Sequence, residues 1–565
     1  MSLKSSELPP VPEMTQRVAK AAFKKNNLYI KMRDTFEIFL KDEQFADLFP
    51  RRGQPALAPW RLMLVTLFQF VENLSDRQAA DAVRARIDWK YALSLELEEE
   101  GFDASVLCEF RKRLVEQKAE SLLFEAMLTR FSQEGMLKVR GRQRTDSTHV
   151  LASVRAMSQV ETIGETLRHA LNVLAEEVPN WLMQNVEADW FDRYGQRIEL
   201  MKLPKDKKER QDLVLLMGSD GYDLLTAIWS SGMPELCHLP AVETLRQVWV
   251  QQFWRQDGYV GKEGVYEGVE ASFGPRDSKD CPASELMIRS PYDVEARLSV
   301  KRETIWTGYK VHLTESCDEG NPHLICQVET TPSTMPDSSA TPLIQASLSA
   351  SNRLPGEQLV DEGYTQASHL VTSQQKYGTL LLGPVARDGS PQGIAAKGFE
   401  INAFEVDWEK PKVTCPAGKE SVLFRRVKNA RGSWFFRVEF ALSDCQSCES
   451  RSQCTRCVKK GRSLYLHPQG EHEALHERRL YQKTKDFSER YKARSGIEGT
   501  LSESVRMHGL RRSRYAGQAK AHLQHLLVGS ALNFCRVFSW LVGEPLATTR
   551  VSRFARLKSW GLAAA

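Results

Sequence analysis

The sequence predicts an α/β fold, a mixed sheet flanked by helices, with a helical region in front of it and two inserts within it. Three observations carry that prediction. Residues 137–154 and 303–333 alternate apolar and polar side chains as strands do. From 337 to 385 helical and strand patterns follow one another, and strands joined by helices build α/β sheets. Before and after these stretches the apolar residues recur at the helical period.

Taken in order, residues 1–35 read as an N-terminal extension and 36–135 as a helical, DNA-binding domain. Trp60, Leu62, Leu64, Leu67, Phe68, Phe70 and Val71 mark one helix. Ser75-Asp76-Arg77-Gln78 opens another, and Asp103-Ala104-Ser105 opens a third that carries Arg111, Lys112 and Arg113. Two short helices in this order suit a helix-turn-helix that lays Arg111, Lys112 and Arg113 on DNA; the plainer reading is a helical bundle with a charged outer face. Residues 136–400 hold the first part of the sheet. Val139, Arg144, Asp146, Thr148 and Val150 lie in its first strand. A helical insertion at about 160–290 follows, with Leu167, Leu171, Leu174 and Val178 on one face and a Trp-rich stretch after it.

Ile305–Thr314 and Leu324–Thr330, joined by Gly320-Asn321-Pro322, read as a hairpin. A helix over 337–353, a short strand over 358–361, a helix over 366–377 and a strand over 379–385 come next. Asp361 thus closes a strand just before a loop and helix, where open α/β sheets place their sites. Residues 401–466 form a β-rich insertion bearing cysteines. Residues 467–545 are helical except for a break at 509–517, and 546–565 are a tail.

Bulk properties exclude several classes. The chain has 565 residues, 42% apolar and 26% charged, with a net charge of +5, so it folds into several domains and is not disordered. That charge is too small to argue for nucleic acid by itself. Residues 491–520, however, hold seven Lys or Arg (Lys492, Arg494, Arg506, Arg511, Arg512, Arg514, Lys520) against Glu498 and Glu503. Met-Ser-Leu-Lys-Ser-Ser lacks an apolar signal core, and the apolar stretch from Leu523 to Val542 is broken by Gln524, His525, Asn533 and Arg536. A secreted or membrane-spanning chain is not expected. Eleven cysteines, six of them scattered singly, suit a reducing cytoplasm.

Three acids stand in punctuated contexts: Asp146 in Arg-Thr-Asp-Ser-Thr-His, Asp361 in Leu-Val-Asp-Glu-Gly-Tyr, and Glu498 closing Tyr491-Lys-Ala-Arg494-Ser-Gly-Ile-Glu498. Carboxylates converging from two strands and a helix make a hard-oxygen site for Mg²⁺ or Mn²⁺, and two such ions serve phosphodiester chemistry. Tyr491, Arg494 and Glu498 stand at i, i+3 and i+7 of one helix, so all three project from one face. On spacing alone, a surface helix with an Arg494–Glu498 pair reads as well. Cys445-x2-Cys448-x5-Cys454-x2-Cys457 and Cys415 on a Pro-Gly turn suit tetrahedral Zn²⁺, with five thiols for four places; the alternative is reduced surface thiols. A rival motif is His472-Glu473-Ala-Leu-His476, the zinc peptidase arrangement, set in a segment so charged that it reads as a solvated helix. His149 and His312 sit in predicted strands and take no catalytic role.

Arg144-Thr-Asp146-Ser-Thr-His149, Trp306-Thr-Gly-Tyr-Lys-Val-His-Leu313, Val360-Asp361-Glu-Gly-Tyr364, Tyr491-x2-Arg494-x3-Glu498-Gly-Thr500 and Gly509-Leu-Arg-Arg-Ser-Arg-Tyr515 together resemble a DDE transposase of a bacterial insertion sequence, in the group with the Tyr-x2-Arg-x3-Glu signature. The resemblance spans about residues 35–541. It implies an RNase H-like core that cuts element-end DNA at two Mg²⁺ ions and joins the freed 3′-hydroxyls to a target. Asp146, Asp361 and Glu498 become the metal ligands and Tyr491 and Arg494 the DNA-end contacts, with the basic residues Arg506, Arg511, Arg512 and Arg514 beside them. The signature's Lys seven residues after Glu is Val505 here, with Arg506 next to it. Among the thiols, the resemblance favours Cys415, Cys445, Cys448 and Cys454 over Cys457 as ligands of a structural Zn²⁺. It implies double-stranded DNA as partner, both element inverted repeats and target, a homodimer on two DNA ends, and a bacterial, nucleoid-associated location. The alternatives are a sequence-specific DNA-binding regulator without catalysis and, below it, a zinc peptidase.

Overall fold

A computed structural model of the chain describes residues 2–3, 8–50, 52–256, 260–261, 264–265, 272–277, 279–430, 432–545 and 554. The tail expected at 546–565 therefore lies, apart from Phe554, outside the described residues, as does much of 257–271 within the helical insertion.

The chain opens with helices α1 (Glu13–Ala22), α2 (Leu28–Phe36), α3 (Pro59–Val71), α4 (Asp76–Ala85), α5 (Ile87–Ala92), α6 (Ser105–Glu116) and α7 (Leu122–Gln133). Local chemistry sets their ends. Ser75 and Gln78 form a reciprocal capping box at α4, and Pro59 stands in the first turn of α3. Helix α3 is apolar nearly all round, and 11 of its 13 residues are buried, as befits a helix inside a core. Two helices, α1 and α2, fall in the stretch read as an extension.

Strand β1 (Arg140–Leu151) is the centre of a six-stranded sheet. It is followed by the helical insertion, whose main members are α8 (Gln159–Glu177), α9 (Lys207–Ser230) and α10 (Pro240–Gln252), packed on a core of their own that includes Ile163, Leu167, Met217, Leu245 and Trp249. The chain then returns as β2 (Arg297–Lys301), β3 (Thr304–Ser316) and β4 (Ile325–Pro332). Helix α11 (Asp337–Ala350), β5 (Pro355–Leu359), α12 (Ala367–Tyr377) and β6 (Leu380–Leu382) complete the sheet. β1, β3 and β4 pair antiparallel, whereas β5 and β6 run parallel to β1 on its other side, giving β4-β3-β1-β5-β6 with β2 also on β3.

The β-rich insertion is built on β7 (Leu423–Lys428), β8 (Trp434–Glu439) and β9 (Ser463–Leu466) around Val413, Val438, Phe440, Leu464 and Leu466. Helices α13 (Gln469–Tyr481), α14 (Lys485–Tyr491), α15 (Gly496–His508) and α16 (Gln518–Leu541) end the described fold.

Two departures from expectation follow from packing. The N-terminal helices are not a separate domain: Phe68, Trp89, Phe124 and Phe131 share one continuous core with Val311 and Leu313 of the sheet and with Leu527 and Phe534 of α16. The polar residues of α16 explain why. Asn533 accepts a hydrogen bond from the Ile325 amide at 2.7 Å and donates one to the Ile325 carbonyl at 2.9 Å, so the helix is tied to β4 while its apolar sides serve both layers. Second, α13 is not a solvated helix. Ala474 and Leu475 pack on the core beneath α11 and α12, and Arg478 is buried. No helix among the described residues is long and apolar enough to cross a membrane.

Candidate active site

Asp146 lies mid-strand in β1, opposite Leu313 of β3. Pairing with β5 stops at Arg144↔Leu359, and the next neighbour on that edge is Arg512, bridged to Leu151. Between those two contacts the strand edge carrying Asp146 opens a notch in the sheet. Asp361 follows β5 by two residues and caps the turn Glu362–Tyr364, accepting a hydrogen bond from the Gly363 amide at 2.9 Å. A β-carbon built on Gly363 would stand 3.0 Å from Asp361 Oδ1 and 3.5 Å from Asp337 Oδ2, which places both acids at this turn.

The segment Tyr491–Glu498 is not one continuous α-helix. Helix α14 ends at Tyr491, a 3-10 turn covers Lys492–Ser495, and α15 begins at Gly496. At the start of α15 only glycine fits, since a β-carbon at Gly496 would lie 1.9 Å from Arg144 Nη1. Arg494 nevertheless reaches both neighbours. Its Nη2 donates to Asp146 Oδ2 at 2.7 Å and its Nη1 to Glu498 Oε1 at 2.9 Å.

Tyr491 stacks on Phe487 with ring centroids 5.3 Å apart. Burial pushes its hydroxyl up to about 12, a rise that Arg494 opposes and that Asp361, Asp146 and Glu498 reinforce. Burial likewise pushes the Asp146 carboxyl up to about 6; Arg494 and the Ser147 amide oppose this, while Asp361 and Asp337 add to it. Asp146 thus senses Asp361 and Asp337, while Glu498 is joined to Asp146 only through Arg494, which binds both. In this arrangement no group of three or more His, Cys, Asp or Glu among the described residues is set closely enough to hold a metal ion.

Asp337 was not foreseen. It opens α11 and accepts from Lys310 at 3.1 Å and from Lys301 at 3.4 Å. In the sequence it looks like any acid in the first turn of a helix, and only the fold brings it beside Asp361.

The basic residues divide. Arg511 and Arg512 are exposed at the notch, Arg511 donating to Thr148 at 2.9 Å two residues from Asp146. Arg506 is exposed on α15. Arg514 is turned inward, donating to the Leu74 carbonyl at 2.8 Å and to Asn73, with its guanidinium over Phe70. Arg111 requires a correction. It is 5% exposed, ion-paired with Asp76 at 2.6 Å and stacked on Tyr515, so it serves packing and offers no open face to DNA. Lys112 is exposed, and Arg113 rests on Phe49.

Cys415, Cys445, Cys448 and Cys454 line one small cavity in the β-rich insertion, whereas Cys457 is exposed and outside it. The Arg462 amide donates to Cys445 Sγ at 3.4 Å. The Cys454 thiol is raised by burial, with Arg462 opposing and the other three cysteines adding to the shift.

The comparisons with known proteins bear on this arrangement. A model described as a transposase DDE domain matches residues 414–538, and a transposase domain, DUF772, matches residues 17–113. Both matches support a DDE transposase of an insertion element. No curated protein and no solved structure matches it. The first match begins beside the turn cysteine of the transposase and includes Arg494 and Glu498; Asp146 and Asp361 precede it. The second runs from within α1 to most of the way through α6. A transposase identity favours neither a zinc peptidase nor a regulator without catalysis. In α13, His472 packs against Trp408, and Glu473 accepts a hydrogen bond from Gln469, in keeping with a structural helix.

Proposed function

We propose that this transposase nicks DNA at the ends of its element and joins the freed 3′-hydroxyls to target DNA, with Asp146, Asp361 and Glu498 as the metal-binding acids. One observation carries the reading: Asp146 of β1 and Glu498 of α15 meet on the two sides of the Arg494 guanidinium, with Asp361 in electrostatic reach of it. Three carboxylates around one guanidinium leave excess negative charge. That charge, on oxygen ligands, fits hard divalent cations. Bound there, two Mg²⁺ or Mn²⁺ ions supply activation of the attacking water or 3′-hydroxyl and stabilisation of the leaving oxygen.

The chain's own residues do the rest. The strand order β4-β3-β1-β5-β6, with β5 and β6 parallel to β1, supports an RNase H-like core. Arg494 is the group whose fork can pass from the carboxylates to a phosphate, since a guanidinium binds either bidentately. Tyr491 offers an aromatic face beside it, and Arg511, Arg512 and Arg506 extend the positive surface along the notch. Two element ends require two such sites, hence a homodimer on DNA.

The test uses the full chain and a duplex carrying the inverted repeat that flanks its gene. Wild type should nick at the repeat end only with Mg²⁺ or Mn²⁺ present, and Asp361→Asn should bind the duplex without nicking it. Nicking by Asp361→Asn at the wild-type rate would refute the assignment.

Cys415, Cys445, Cys448 and Cys454 would hold one structural Zn²⁺. Four thiols line one cavity, with a backbone amide directed at Cys445 Sγ, and thiolates are the donors that ion takes; binding it would draw the four closer than they stand here. Serine at any of the four should abolish stoichiometric zinc and lower the melting temperature by several degrees. Cys457→Ser should leave zinc content unchanged; metal analysis of the purified variants decides between the sets.

A further inference from the structure

The acids of the proposed site come from opposite parts of the chain, yet metal chemistry tolerates displacements of only about half an ångström. What holds α15 in place against β1 is a buried ionic clasp. Glu315 of β3 is fully buried and lies directly across from Arg144 of β1, two residues before Asp146. The Arg144 guanidinium is ion-paired with Glu315 and donates to the Ala493 carbonyl at 2.7 Å, next to Arg494. It also fills the space at Gly496.

The other oxygen of Glu315 accepts from Thr500 of α15 at 2.6 Å and from Arg536 of α16 at 2.9 Å. Arg536 in turn binds Thr500 at 2.7 Å and Glu503 at 2.8 Å. Thus one carboxylate joins β1, β3, α15 and α16, and its partners flank both Asp146 and Glu498. Two arginines and two glutamates balance in charge, as a buried cluster must.

We propose that Glu315, through Arg144 and Arg536, is a positioning residue that sets the register of the Tyr491–Glu498 segment against Asp146. This rests on the metal-site reading above. A glutamine at 315 keeps the shape but leaves two guanidiniums facing one carboxylate. Arg144→Lys keeps the charge and loses the fork that spans Glu315 and the Ala493 carbonyl.

Both full-length variants are to be compared with wild type by hydrogen exchange, by duplex affinity and by nicking across a Mn²⁺ titration. Expected for each is lowered amide protection over residues 492–504 with unchanged protection over 159–252. Duplex affinity should stay within about twofold, while the Mn²⁺ needed for half-maximal nicking rises about tenfold or more, the range seen when supports of metal ligands are removed. Arg144→Lys, the milder change, serves if Glu315→Gln does not fold. Unchanged Mn²⁺ dependence in a folded variant with lower melting temperature would reduce the clasp to a stability element and overturn the proposal. If wild type itself fails to nick, the catalytic reading falls, and unaltered exchange over 492–504 would separately sink the clasp.

Discussion

Asp146→Asn and Glu498→Gln should each lower the nicking rate by on the order of 10³-fold or more. The magnitude follows from charge. Each acid supplies a full negative charge to the site, and losing several kcal/mol of transition-state stabilisation, about 4 kcal/mol, corresponds to about three powers of ten. The two amides keep the size and shape of the acids, so packing around β1 and α15 is preserved. Each also removes one of the two carboxylates that Arg494 now binds at 2.7 and 2.9 Å. Affinity for the element-end duplex should therefore hold or rise slightly, because the freed guanidinium is the proposed phosphate contact. Arg494→Ala should behave differently, weakening the duplex complex as well as nicking. Gel-shift and nicking assays on the same preparations separate these patterns, and an Asp146→Asn protein that still nicks within tenfold of wild type would remove Asp146 from the chemistry.

Much of this site was legible in the sequence because its acids sit in punctuated, local contexts. Asp146 was read in a strand and lies in one; Asp361 was read as the last residue of a strand over 358–361, whereas the strand spans Pro355–Leu359 and Asp361 caps the turn after it. The capping box at Ser75 announced α4. What the sequence could not reveal depends on register and layer packing. Arg111 looked like part of a basic cluster with Lys112 and Arg113, but in α6 the three point in different directions, and only Arg111 meets Asp76 and Tyr515 from the far end of the chain. The residues expected to share one face, Tyr491, Arg494 and Glu498, do gather around Arg494, but across a 3-10 turn at Lys492–Ser495 that their spacing did not announce. Glu315 read as one more polar residue of an alternating strand. Its partners Arg144, Thr500 and Arg536 are 171, 185 and 221 residues away. Likewise Gln524, His525 and Asn533 argued against a membrane span, while their work is to satisfy buried partners between the sheet and the N-terminal helices.

Two of the buried histidines should make folding sensitive to acid. His312 of β3 is fully buried, with Nδ1 2.7 Å from the Tyr364 hydroxyl and Nε2 3.1 Å from Thr331 Oγ1. Burial holds it down to about 4 from an ordinary 6.5, an effect that Asp337 opposes and that Lys310 and Lys301 reinforce. His525 of α16, also fully buried, hydrogen-bonds Thr330 at 2.8 Å and is held down to about 3 by burial and by neighbouring His522. Both are neutral when folded. Below pH 6.5 the unfolded chain takes up a proton at each site that the folded chain refuses, so folding stability falls as pH drops toward 4. At pH 5 the loss is about 2 kcal/mol per histidine, or roughly 4 kcal/mol together, a large share of the 5–15 kcal/mol typical of folded proteins. Denaturant midpoints at pH 7.5, 6 and 5 should show this fall. Burial holds His522 down to about 4 as well, so His312→Gln and His525→Gln, although less stable at neutral pH, should each lose about a third of the histidine slope. A double variant with the wild-type pH dependence would mean that other groups, the carboxylates foremost, drive acid unfolding.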